Sequence, residues 1–155
     1  MSSILNSDGT GERQGILVKV RLDIKGTGKP GRFLFGGKTL DKVAEESREQ
    51  QLTVFRNVPM QGIHIIDIDC STEIYTVNDD ITNNEIAYAP LELTIKADNL
   101  ENVIRFITRE DFRKIEVLDP ASITLNHNEI ERLFFKIFEE IKEFRLWLER
   151  KYNLR

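Results

Sequence analysis

The sequence predicts an α+β fold, a mixed or mainly antiparallel sheet of about six strands covered by three helices. Three observations predict it. Several runs alternate apolar and polar side chains with the period of two that a half-buried strand shows. Turn-rich segments join most of these runs as hairpins would. The chain closes with a long amphipathic helix, from about Asn128 to Tyr152. Only one strand–helix–strand unit, near residues 85–118, interrupts the hairpin order, which favours α+β over a doubly wound parallel sheet. A length of 155 residues suits one domain, assigned here to 16–155, with the polar segment Met1–Gly15 read as a flexible tail.

Each element has its own signal. Ile16–Ile24 sets Val18, Val20, Leu22 and Ile24 against Lys19, Arg21 and Asp23, a strand with one wet face. Gly26–Gly31 is a cluster of turn formers leading to the short apolar run Phe33–Phe35, which together read as a hairpin with a mobile loop. Thr39 caps a helix through about Gln50, with Leu40, Val43 and Ala44 on one face and Asp41 in the first turn. Leu52–Arg56 reads as a short strand before the Asn57-Val58-Pro59 turn. Gly62–Cys70 carries Ile63 and Ile65 on one face and His64, Ile66, Ile68 and Cys70 on the other, the pattern of a central strand. Glu73–Val77 and Glu85–Lys96 are further strands. Asp98 or Asn99 opens a helix with Leu100, Val103, Ile104 and Ile107 on its inner side. Lys114–Leu118 is the last strand, stopped by Asp119-Pro120.

The C-terminal helix, capped by Asn126 or Asn128, carries the most information. Ile130, Phe134, Ile137, Ile141, Phe144 and Leu148 recur at spacings of 4, 3, 4, 3 and 4, the seam of a helix that packs lengthwise. Phe135 and Leu146 fall outside this stripe together, and Trp147 lies off its other edge. Two arrangements fit: a helix wedged between its own sheet and the helix near residue 103, or one whose second side packs on a symmetry mate. We favour the second, a homodimer through this helix with Phe135, Leu146 and Trp147 as interface residues.

Charge is segregated although the formal net charge is only −4. Between Arg13 and Lys38 seven basic residues meet one acid, while Asn57–Ile95 holds seven acids and no Lys or Arg. If these segments are neighbouring strands, the blocks pair across the sheet. Otherwise the basic hairpin meets an anion and the acidic edge a cation or basic partner. Lys25, Lys29, Arg32, Lys38 and Thr39 are the candidate anion ligands, Thr39 because Gly37-Lys38-Thr39 opens a helix. Gly31 to Lys38 is not a nucleotide P-loop: five residues separate Gly31 from Gly37 where four are needed, and Arg32 stands where glycine is needed.

Chemical motifs are weak. Asp67 and Asp69 lie two apart on a strand and point the same way, the minimum for a divalent ion, but the glycine and terminal glutamate of a calcium loop are missing. His64 and Cys70 are six apart on one strand, about 20 Å, too far for a nucleophilic pair. His64 is expected to be a core-edge histidine, Cys70 a buried small hydrophobe, and His127 exposed. With one cysteine there is no intramolecular disulfide and no cysteine-built zinc site. No cofactor is implied. An isoelectric point near 5.3 and the lack of any recognition helix argue against nucleic acid, and no apolar run is long enough to span a membrane. The expectation is a cytoplasmic, non-enzymatic regulatory, adaptor or assembly protein that binds protein and itself. The alternative is a binder of a phosphorylated small molecule or nucleic acid through the basic loop.

Overall fold

A computed structural model describes residues 15–27 and 39–153. The Met1–Gly15 tail (apart from Gly15), the Phe33–Phe35 strand and the loop positions Lys29, Arg32 and Lys38 lie outside the described residues. Among those described, the order is β1 (Ile16–Lys25), α1 (Leu40–Asn57), β2 (Ile63–Asp69), β3 (Tyr75–Asn78), β4 (Glu85–Ala97), α2 (Leu100–Ile107), β5 (Phe112–Asp119) and α3 (His127–Tyr152). The class is α+β, with three helices and a sheet of five strands rather than six.

Every pairing in the sheet is antiparallel, in the order β2-β4-β1-β5, with β3 also on β4. β4 is the organiser. Along one side it meets β1 from Tyr88 to Ala97, and along the other it meets β3 at Glu85–Tyr88 and β2 at Glu92–Ala97. Pro90, which has no N–H to donate, falls in the gap between those two partners, and its carbonyl accepts from Arg48 at 3.1 Å. β4 and β5 both oppose β1, so β4–α2–β5 is a parallel crossover that leaves room for β1 between its strands.

Alternation puts Val18, Val20, Leu22 and Ile24 of β1 and Leu91, Leu93 and Ile95 of β4 on one face, all buried. α1 and α2 cover that face, with Leu52 and Phe55 from α1 and Val103 and Phe106 from α2 in the same core. Ala44 sits against Ala87 and Ala89, and these small side chains let α1 approach β4 closely. The approach is tight enough that a Cβ at Gly26 would press on the Ala44 backbone at 3.1 Å and push it back by a few tenths of an ångström.

Four expectations need correction. Leu52–Arg56 is not a strand; it is the end of α1, because Leu52 and Phe55 continue the buried stripe of Ala44 and Ser47 at helical spacing. β2 is an edge strand, not a central one. A bulge at Ile66 re-phases it, so that Ile63, Ile65 and Ile68 all turn to the core while Ile66 is left exposed. His64 consequently points to the open face, 3.5 Å from Asp98, rather than sitting at the core edge. Finally, two helices cover the sheet, not three, for α3 packs chiefly on α2.

The turn into β2 gives a direct test of backbone strain. Gly62 has φ +73°, and a Cβ there would collide with the Asn102 side chain. Its carbonyl accepts from Asp98 N–H at 2.9 Å, tying this turn to the start of α2. Gly62→Ala is expected to lower unfolding free energy by about 1–3 kcal/mol, read as a lower urea midpoint at unchanged slope.

Candidate functional site

α3 begins where its local chemistry says it should. The Asn126 side chain accepts from Glu129 N–H and donates to the Glu129 carboxylate, both at 2.9 Å, a reciprocal cap. Arg150 and Lys151 occupy the last turn and complement the helix dipole. Twenty-six residues at 1.5 Å each give about 39 Å of helix. Not one of those residues is buried.

The side that faces the protomer is largely polar. Leu133 lines a cleft of about 260 Å³ with Ile16, Leu100 and Ile123. Glu140, Phe144 and Trp147 line a second cleft, about 560 Å³, with Gln51, Arg109 and Asp111. Lys136 lies on the same arc, its ammonium 3.0 Å from Glu140. At 100° per residue, Glu129, Leu133, Lys136, Glu140 and Trp147 fall within about 60° of the circumference. Three of the five are charged.

The opposite is true outside. Ile130, Phe134, Ile137, Phe138, Ile141 and Leu148 fall within about 100°, centred roughly 120° away from the inner arc. Phe134, Phe138 and Ile141 are each more than 60% exposed. The amphipathicity of α3 is therefore inverted relative to its own protomer. Isolated exposed hydrophobes are ordinary, whereas the phenylalanines and isoleucines here line up along one face of the helix.

A clamp fixes the far end of the helix. Glu110, in the turn before β5, accepts from Lys151 Nζ at 2.5 Å and from Tyr152 OH at 2.7 Å. Lys151 also sits over the Trp147 ring, which stacks on Phe144 at 5.6 Å. Burial pushes the Glu110 carboxyl up, but the hydrogen bonds from Lys151 and Tyr152 outweigh it and hold the group below its ordinary value. A lowered carboxyl contributes stability above the unfolded value, about 4.3, and loses it as pH falls through the folded one. Trp147 is the sole tryptophan, so its fluorescence reports on this end alone. The expected result is a red shift in emission below about pH 4.3, absent in Glu110→Gln, whose spectrum already resembles the acid form at neutral pH.

The sequence-derived candidates are distributed differently. Phe135 and Leu146 lie together on a flank of α3, Phe135 exposed and Leu146 half-buried, while Trp147, itself 39% exposed, lines the cleft at the clamp. Lys25 is exposed at the end of β1, and the Thr39 hydroxyl is engaged in capping α1, accepting from Lys42 N–H at 3.2 Å. Asp67 and Asp69 share the open sheet face, but Asp69 accepts from Ser71 N–H at 2.8 Å, and the Ser71 side chain, then this N–H, lower its pKa. Among the described residues no three His, Cys, Asp or Glu side chains converge as metal ligands would. Cys70 is half-buried against the core. Among the described residues the opposite charges meet at one point inside the protomer, with Arg21 of β1 directly across from Glu92 of β4.

One cluster escaped the sequence. Asp23 belongs to the wet face by alternation, yet it is only 3% exposed. It accepts from Tyr75 OH at 2.5 Å and Arg21 Nε at 2.9 Å, with Arg113 Nε at 3.7 Å. Tyr75 in turn stacks on Tyr88 at 5.5 Å. Burial, then the Asp23 hydrogen bond, raises the Tyr75 pKa. The carboxylate staples β1, β3 and β5 at one end of the sheet and lines neither cleft, so we read it as structural.

No helix among the described residues is long and apolar enough to cross a membrane. No protein-family model, curated protein or solved structure matches this chain.

Proposed function

We propose that this chain is a non-enzymatic cytoplasmic module that acts by binding protein, with self-association through α3 as its basic mode. It would serve a regulatory, adaptor or assembly role. The observation that carries the reading is the outward stripe Phe134–Phe138–Ile141 on a helix with no buried residue. Aromatic and aliphatic side chains at this density match the composition of interface centres. A helix whose more polar side faces its own protomer is stable only if the apolar side is removed from water elsewhere, since each buried side chain of this size contributes about 1.5–3 kcal/mol.

Sedimentation velocity across a concentration series tests the reading. The expected species is a dimer that dissociates on dilution, at twice the 18.0 kDa of one chain. A monomer persisting up to about 100 μM, where even weak specific interfaces associate, would remove self-association from the account.

A further inference from the structure

The two flanks of the α3 stripe are not equivalent, and that difference bears on how a second copy can approach. In heptad terms Ile130, Ile137 and Phe144 occupy one seam position and Phe134, Ile141 and Leu148 the other. Glu131, Phe138 and Arg145 follow the first set and form one flank. Leu133, Glu140 and Trp147 precede the second set and form the other.

The second flank is occupied. Leu133, Glu140 and Trp147 all line the clefts against the protomer's own body, and the Glu140 side chain, paired with Lys136, is only 15% exposed. The first flank is open, with the Arg145 side chain 70% exposed. In a parallel helix pair each flank must meet the opposite flank of the partner, so the occupied side would have to be pulled off its protomer. In an antiparallel pair like flanks meet, and both occupied flanks stay where they are.

We infer that the stripe is covered by α3 of a second copy, running antiparallel about a two-fold axis at the level of Glu139. This inference rests on the self-association reading. The spacing 4, 3, 4, 3, 4 is the same in both directions, and so is the residue chemistry. Ile130 then lies opposite the partner's Leu148, Phe134 opposite the half of the partner's Phe144 that its own cleft leaves exposed, and Ile137 opposite the partner's Ile141. On the open flank Phe138 meets the partner's Phe138 near the axis. Glu131 meets the partner's Arg145, and symmetry repeats that contact. Opposite charges equidistant from the axis are what a self-complementary surface requires.

Cysteine cross-linking in a Cys70→Ala background tests the direction. Ile130→Cys and Leu148→Cys are made as separate proteins, checked for cooperative unfolding, and oxidised alone and mixed. Disulfide dimers in the mixture only, joining position 130 to position 148, are expected. Homodimers of each variant alone would overturn the antiparallel direction while leaving self-association standing. No cross-link in any sample, with a monomer by sedimentation, would overturn both and assign the stripe to a different protein. A second test avoids cysteine altogether. Glu131→Arg and Arg145→Glu, both at exposed positions, should each weaken the dimer about tenfold, and the double swap should restore it. Failure of the double swap to restore binding would overturn the register.

Discussion

Replacing Phe138 and Ile141 together by glutamate is expected to give a folded protein that no longer self-associates. Both side chains are largely exposed in the protomer, so the substitution removes almost no intramolecular packing. Monomer stability should move by about 0.5 kcal/mol or less, as for other surface changes. In a two-fold dimer four carboxylates would enter one apolar seam, and truncating a single central anchor commonly costs 2 kcal/mol or more. Dimer affinity should therefore fall by at least about 100-fold, read by sedimentation. Circular dichroism and the urea slope should match the wild type at low concentration. If the variant is unfolded when dilute, the stripe belongs to the protomer core and not to an interface.

The complementary expectation concerns the core. Leu93 sits at the middle of β4, fully buried, facing Val20 on β1 and Ile68 on β2. It therefore packs where three strands and both covering helices converge, a place with little freedom to collapse. Leu93→Ala should cost about 3 kcal/mol, from lost burial and the cavity left behind, and lower the midpoint of thermal unfolding by roughly 6–12 °C. It should leave the dimerisation constant of the folded protein unchanged, because α3 packs chiefly on α2 rather than on β4. The two variants thus separate folding from association. Each should move one quantity and leave the other in place.

The residues that were legible in the sequence share a property: their environment is set by their immediate neighbours. β1 and β4 show strict alternation, and the caps Thr39, Asn99 and Asn126 sit where their side chains accept from the third residue onward. The end of α1 was misread because Thr53-Val54-Phe55 is β-branched and aromatic, whereas the core contacts of Leu52 and Phe55 decide in favour of helix. The face of β2 was misread because one extra residue, Ile66, inverts the phase of everything after it, and no local signal marks the bulge. Asp23 was missed because its partners Tyr75 and Arg113 come from strands far along the chain.

The candidate site failed to show itself for a related reason. Spacing along α3 gives the width of the apolar stripe but not which body covers it. The sequence reading placed the main seam on the protomer and the interface on Phe135, Leu146 and Trp147. In the fold, α1 and α2 use their apolar faces on the sheet, and α3 meets the body along its Leu133 and Trp147 side, which leaves Phe134, Phe138 and Ile141 exposed. Trp147 carries the Lys151 ammonium of the Glu110 clamp over its ring.

Side-chain footprinting of the wild-type protein, above and below its association midpoint, tests the central claim most directly. Labelling at Phe134, Phe138 and Ile141 should drop severalfold in the concentrated sample. Ile81, which is 93% exposed in the turn between β3 and β4, should label equally in both. Unchanged labelling along α3, or protection centred instead on the exposed edge residues Val117 and Leu118 of β5, would contradict the account.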